Sequence, residues 1–100
     1  MNKIIIIGNL TKDPDVKTLE DNGHVATFTV AVNGLKEGDV NFIPCKAFGK
    51  TAEAIDKFLK KGNKCAVEGY LNIYKYTSNK ETRYGSEVIC NNVEFLTPKK

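Results

Sequence analysis

Two short stretches combine side chains that stack with side chains that carry positive charge. In residues 40–48, Phe42, Pro44, Lys46 and Phe48 alternate with Ile43, Cys45 and Ala47. In residues 64–76, Tyr70, Asn72, Tyr74 and Tyr76 oppose Cys65, Val67, Leu71 and Ile73, with Lys75 adjacent and Lys80 and Arg83 beyond. A lysine between two phenylalanines is awkward in a core and natural on a surface. Aromatic faces there can stack on unpaired bases, each stack being worth roughly 1 to 3 kcal/mol with little sequence preference. The interleaved cations supply a salt-sensitive contact to phosphates. The plainer use of such residues, rings capping the end of a core and tyrosines half-exposed with wet hydroxyls, gives the same pattern.

Other constellations carry less. Gly8-Asn9-Leu10-Thr11-Lys12 lacks the spacing and the following helix of a phosphate-binding loop, and Phe48-Gly49-Lys50-Thr51 has a GKT triplet without the earlier glycine. Asp13 and Asp15 lie in a Pro-containing turn and could act as acid and base only inside a cleft. Cys45, Cys65 and Cys90 form no CxxC pair and read as reduced, buried small hydrophobes. Cys45 with His24 is a poor nucleophile and base, since Cys45 falls on the face assigned to the core. His24 is the only imidazole, which excludes a multi-histidine metal site. No cofactor and no enzymatic activity are expected.

The elements that must position these residues follow from hydrophobic period and turn signals. One hundred residues, 41% hydrophobic and 27% charged, fit a single domain over residues 1–100. A chain of this size has one core and little room for a deep cavity, so function is expected on an exposed face. The chain lacks an apolar run near the ~18 residues of a membrane span, and its start lacks a signal peptide's apolar stretch, so a cytoplasmic protein is expected. Net charge is +3, but between Lys57 and Arg83 there are seven basic residues against only Glu68 and Glu81. Positive charge is therefore gathered in a patch. Within it, Lys57, Lys60, Lys61 and Lys64 read first as solvated charge complementing a helix end.

Lys3 to Gly8, with Ile4-Ile5-Ile6-Ile7, reads as a strand buried on both faces. After an Asp13-Pro14 break and an Asp21-Asn22-Gly23 turn, Val25 to Val32 alternates as a second strand. A third runs from Val40 to Phe48, with Pro44 implying an edge or a bulge. Thr51 to Lys61 has helical period, with Ala52, Ile55, Phe58 and Leu59 on one face, Thr51 as N-cap and Gly62 as stop. Lys64 to Tyr76 and about Arg83 to Val93 are the last strands, joined near Ser78-Asn79-Lys80, and Phe95-Leu96 closes the core. The order predicts an all-β fold: a five-stranded OB-fold Greek-key barrel with one α-helix between the third and fourth strands.

Six blocks in order now carry a resemblance over essentially the whole chain: residues 2–14 (NKIIIIGNLTKDP), 26–32 (ATFTVAV), 47–50 (AFGK), 59–62 (LKKG), 67–71 (VEGYL) and 83–88 (RYGSEV). The chain resembles the bacterial and bacteriophage single-stranded DNA-binding proteins. That resemblance implies an OB-fold, usually homotetrameric, that binds and protects single-stranded DNA during replication, recombination and repair, without catalysis. It implies base stacking at Phe42, Phe48 and Tyr76. Lys3, Lys50 and Lys75 match basic family positions, while Asn72 and Tyr74 stand where basic residues are common.

With the pattern reading, the expected stacking set is Phe42, Phe48, Tyr70, Tyr74 and Tyr76. The expected phosphate and polar set is Lys3, Lys46, Lys50, Asn72, Lys75, Lys80 and Arg83. Three departures stand out. The segment over residues 33–41 is short, tryptophan is absent, and the chain stops at Thr97-Pro98-Lys99-Lys100 without the Gly/Gln-rich linker and acidic tail through which cellular members recruit repair enzymes. These features fit a phage or mobile-element version. The expected partners are single-stranded DNA and further copies of the chain, as tetramer or dimer, with no membrane and no tail-mediated recruitment. The alternative is an OB-fold primosomal assembly protein that bridges a helicase and DNA.

Overall fold

A computed structural model of the chain describes residues 1–21 and 23–96. Asn22 of the expected turn and residues 97–100 of the expected tail-less end lie outside the described residues. Six strands and one helix follow in the order β1 (Ile4–Leu10), β2 (Asp15–Thr18), β3 (His24–Asn33), β4 (Val40–Phe48), α1 (Gly49–Phe58), β5 (Lys64–Ser78) and β6 (Glu81–Phe95). The sheet order is β1-β5-β6-β4-β3-β2, and a β1–β3 pairing at Asn9↔Ala31 and Leu10↔Val30 closes it into a ring. All pairings are antiparallel except β4–β6. This is the expected OB-fold barrel, with the helix between the strands predicted as third and fourth.

The core explains the closure. Ala26, Phe28 and Val30 of β3 alternate inward and meet Cys45 and Ala47 of β4, Cys65 and Val67 of β5, and Val88 and Cys90 of β6. Ala52 and Ile55 of α1, with Leu59 just beyond it, seal one end of the barrel. Gly69 marks a β-bulge where the β5–β6 register shifts, and a Cβ there would fall on the Ile89 carbonyl oxygen. Only glycine lets the two backbones approach this closely.

The Gly-Asn-Leu-Thr-Lys-Asp-Pro block has a structural use. Asn9 Nδ2 donates to the Gly62 carbonyl at 3.0 Å, and Asp13 Oδ1 accepts from the Lys61 amide at 2.8 Å. The Gly62 amide donates to Leu10 O and the Leu10 amide to Asn63 O, each at 2.9 Å. The end of β1 thus clasps the turn that leads from α1 into β5.

Several expectations are corrected. A short strand, β2, is added at Asp15–Thr18: its pairing with β3 depends on a distant segment, and four residues with mixed exposure carry little periodic signal. The first strand is not buried on both faces, because Ile4 and Ile6 pack toward the core while Ile5 and Ile7 stand 63% and 51% exposed. The helix occupies Gly49–Phe58 instead of starting after Thr51. Its N-cap is Phe48, without a side-chain cap bond, so Thr51 lies inside the first turn. The chain leaves the helix at Leu59, three residues before Gly62.

Leu71 and Ile73 were expected on an apolar inner face and are exposed, since β5 there has run past the barrel. Phe58, Phe95 and Leu96 sit half-exposed at the rim instead of in the core, with the Phe58 and Phe95 rings 5.5 Å apart. Pro44 pairs with Thr29 of β3, and β4 meets β6 only at Cys45 and Lys46. The proline therefore stands beside the unpaired part of β4, as its missing donor requires.

Candidate nucleic-acid interface

Strand alternation decides which side chains share the outer face. On β4, Cys45 and Ala47 are buried, which turns Phe42, Pro44, Lys46 and Phe48 outward. On β6, Val88 and Cys90 are buried and Glu87 and Ile89 look out. The β5–β6 register pairs Tyr70 with Ile89, Asn72 with Glu87, Tyr74 with Gly85 and Tyr76 with Arg83, so these residues share that outer face. Two aromatic rows, one on β4 and one on β5, therefore flank a central β6. All five expected stacking residues lie on this continuous surface and all are exposed.

The tyrosine row has its own seat. Tyr74 and Tyr76 have ring centroids 6.0 Å apart, tilted by 40°. The Tyr74 ring lies over Gly85, where a Cβ would collide with it. The strands then join through Asn79 and Lys80, with φ values of 51° and 64°, a two-residue turn whose left-handed residues match the twist of the ribbon. Lys80 is thereby held at the hairpin tip.

The cations divide into two groups. Lys46 Nζ is 3.5 Å from Glu87, Lys3 Nζ is 3.3 Å from Glu68, and Arg83 is 3.0 Å from Glu81. Lys50, Lys75 and Lys80 form no ion pair among the described residues. Lys50 stands in the first turn of α1, two residues from Phe48. Asn72 Nδ2 donates to Glu87 at 3.1 Å. Lys75 is set apart: alternation places it on the opposite side of the ribbon from Tyr74 and Tyr76, across from Tyr84.

Two residues carried no usable signal in the sequence, Glu87 on this face and Tyr84 on the other side of the ribbon. Glu87 was one acid among several until pairing brought Lys46 and Asn72 to it. Tyr84, 66% exposed, has the same parity as buried Val88 and Cys90. Parity marks it as inward, and only the extension of the ribbon beyond the barrel leaves it bare.

The other candidates have structural occupations. His24 Nε2 lies 2.9 Å from Glu53, tying β3 to α1, and is not engaged with Cys45. Burial, then the neighbouring Cys90 and Cys65, pushes the Cys45 thiol up to about 12, and burial raises Cys65 and Cys90 to about 11. Such thiols stay protonated and unreactive near neutral pH. Asp13 is spent on the Lys61 amide. Among the described residues there is no cluster of three or more His, Cys, Asp or Glu able to hold a metal, and no helix is long and apolar enough to cross a membrane.

The face thus gathers five exposed aromatic rings, with Lys50 beside Phe48 and Lys80 at the hairpin tip. The model of the single-strand binding protein family matches residues 1–96. Single-stranded DNA-binding protein 1 of Staphylococcus aureus (strain COL) is 36% identical over 105 residues, covering 99% of this chain and 63% of that protein. The single-stranded DNA-binding protein of Clostridium perfringens (strain 13 / Type A) is 40% identical over 99 residues, covering 96% and 66%. Single-stranded DNA-binding protein 2 of Listeria monocytogenes (strain ATCC BAA-679 / EGD-e) is 40% identical over 107 residues, covering 99% and 66%. The chain thus spans 63–66% of the length of these curated relatives. These are binding proteins and not enzymes by name, and with the barrel and its aromatic face they place the chain: it belongs to the single-strand binding protein family.

Proposed function

We propose that this chain binds single-stranded DNA with little sequence preference and protects it where unpaired strands arise, in replication, recombination and repair. The supporting observation is the pair of aromatic rows, Phe42 and Phe48 on β4 and Tyr70, Tyr74 and Tyr76 on β5, turned outward on one face of a barrel of this family. Unpaired bases stack on the rings, while Lys50 and Lys80, without carboxylate partners among the described residues, meet phosphates at the ends of the face. Lys3, Lys46 and Arg83 contribute less, because each must first leave a carboxylate. Lys75, with Tyr84, serves a strand that wraps around the ribbon to its other side.

A homo-oligomer belongs to the same proposal. From Ile4 to Gly8, β1 pairs with β5 on one edge, while β3 reaches only Asn9 and Leu10 on the other. An edge left unpaired among the described residues and flanked by exposed Ile5 and Ile7 favours strand addition by a second copy.

The test is a salt titration of binding to a labelled single strand of about 35 nucleotides, long enough for several OB-fold sites, with duplex and RNA of the same sequence as competitors. Tight binding, poor competition by duplex, and a salt slope shallower than full counterion release are expected. Equal competition by duplex, or no binding at low salt, would turn the aromatic face toward a protein partner, as in the primosomal alternative.

A further inference from the structure

Glu87 stands on β6 between the two aromatic rows and reaches both neighbouring strands. Its Oε1 lies 3.5 Å from Lys46 Nζ on β4, and its Oε2 accepts from Asn72 Nδ2 on β5 at 3.1 Å. The side chain is only 15% exposed. With both oxygens engaged on different strands, the carboxylate is held in the middle of the face. The one lysine among the rings is thereby compensated, while Lys50 beside Phe48 and Lys80 at the hairpin tip have no carboxylate partner among the described residues. Free positive charge sits at the ends of the surface, and its centre holds a lysine already neutralised by a fixed carboxylate.

Single strands and duplexes meet this distribution differently. A single strand can turn uncharged bases onto the rings and leave its phosphates at the rim. A duplex has its bases paired and stacked inside, so it presents phosphates to any broad face. A centre whose lysine is already bound by a carboxylate offers those phosphates no counter-charge and sets the carboxylate against them, while bases, which carry ring or exocyclic N–H donors, tolerate it. Discrimination of this kind comes from a repulsive element as much as from an attractive one.

We propose that Glu87 is a specificity-determining residue that keeps phosphate out of the centre of the face, with Lys46 as its neutralised partner, and so selects single-stranded over duplex DNA. The assignment rests on the single-strand binding proposed for this surface. The full chain and its E87Q, E87D and K46M/E87Q variants are titrated with a single strand and with duplex of the same sequence across a range of salt. E87Q removes the charge at nearly unchanged shape. Duplex affinity is expected to rise roughly tenfold in E87Q, with a salt slope steeper by about one as Lys46 becomes free to contact phosphate. Single-strand affinity is expected to move less than about threefold, because bases and not phosphates occupy the centre. E87D keeps the charge and the wild-type preference, and K46M/E87Q loses the added duplex slope.

A purely structural Glu87 would lower the melting temperature and shift both polymers by the same factor, which overturns the proposal. So does an unchanged ratio of the two affinities in E87Q. The outcomes separate from failure of the underlying function: if the wild type binds no single strand, or does not prefer it to duplex, both proposals fall together.

Discussion

At the scale of single residues, Phe48 and Tyr76 are both exposed rings of the face with different supports in space. Phe48 caps α1 at the end of β4, whereas Tyr76 leans on Tyr74 out on the ribbon. Phe48→Ala and Tyr76→Ala are each expected to weaken single-strand binding by about 1 to 3 kcal/mol, read by fluorescence titration, with the far-UV circular dichroism unchanged. Affinity at the wild-type level would remove that ring from the stacking set. The cysteines act on stability. Their native pKa values, about 11 to about 12, exceed the ordinary value of 9.0, so above pH 9 the unfolded chain loses thiol protons that the native state retains. Their contribution is complete below about pH 9 and is lost as pH rises through the native values, at up to about 1.4 kcal/mol per pH unit for each thiol. Chemical denaturation from pH 8 to 11 should show this fall, and a Cys45→Ala variant, though less stable at pH 8, should show a shallower one.

At the scale of elements, the β5–β6 ribbon does two jobs with one pairing pattern. Near the bulge at Gly69 it wraps the barrel, and toward Asn79 and Lys80 it stands free. Gly69→Ala drives a methyl into the Ile89 carbonyl and should cost about 3 kcal/mol of stability by denaturant unfolding. A stability within a few tenths of wild type would show that the bulge yields easily. At the tip, Lys80 holds a left-handed φ of 64°, which costs a residue bearing a Cβ about 1 kcal/mol. Lys80→Gly should therefore raise the melting temperature while lowering single-strand affinity at low salt. A lowered melting temperature would show that the lysine side chain has packing that outweighs its backbone strain.

At the scale of the whole molecule, one barrel presents two unlike surfaces. The face across β4, β6 and β5 is aromatic with charge at its ends, and the free edge of β1 is aliphatic. Placing charge on the second should leave the first intact. Ile5→Lys with Ile7→Lys is expected to shift the mass measured by light scattering from an oligomer to the 11.1 kDa monomer. A wild-type chain already monomeric at tens of micromolar, a range in which assemblies of standard interface size persist, would refute strand addition along β1.

The chain's own residues were enough to place five of the six strands, the helix, the last hairpin turn and the alternation that turns Phe42, Phe48, Tyr70, Tyr74 and Tyr76 to one side. Those features are local: period, turn chemistry and β-branching act within a few residues. Sequence likewise placed the cysteines inside, because a small apolar residue of inward parity has one natural destination. Tertiary structure alone decided whatever depends on distant partners. It settled that inward parity at Ile73 and Tyr84 meets solvent once the ribbon passes the barrel, that Asp15–Thr18 pairs with β3, and that no second layer among the described residues covers Ile5 and Ile7. It also sorted the cations, pairing Lys3, Lys46 and Arg83 with carboxylates while Lys50 and Lys80 have no ion pair among the described residues. Lys46 and Glu87 are 41 positions apart, and no local pattern links them. Only the parallel contact of β4 with β6 brings them together, because charge pairing is set by distance in space and not along the chain.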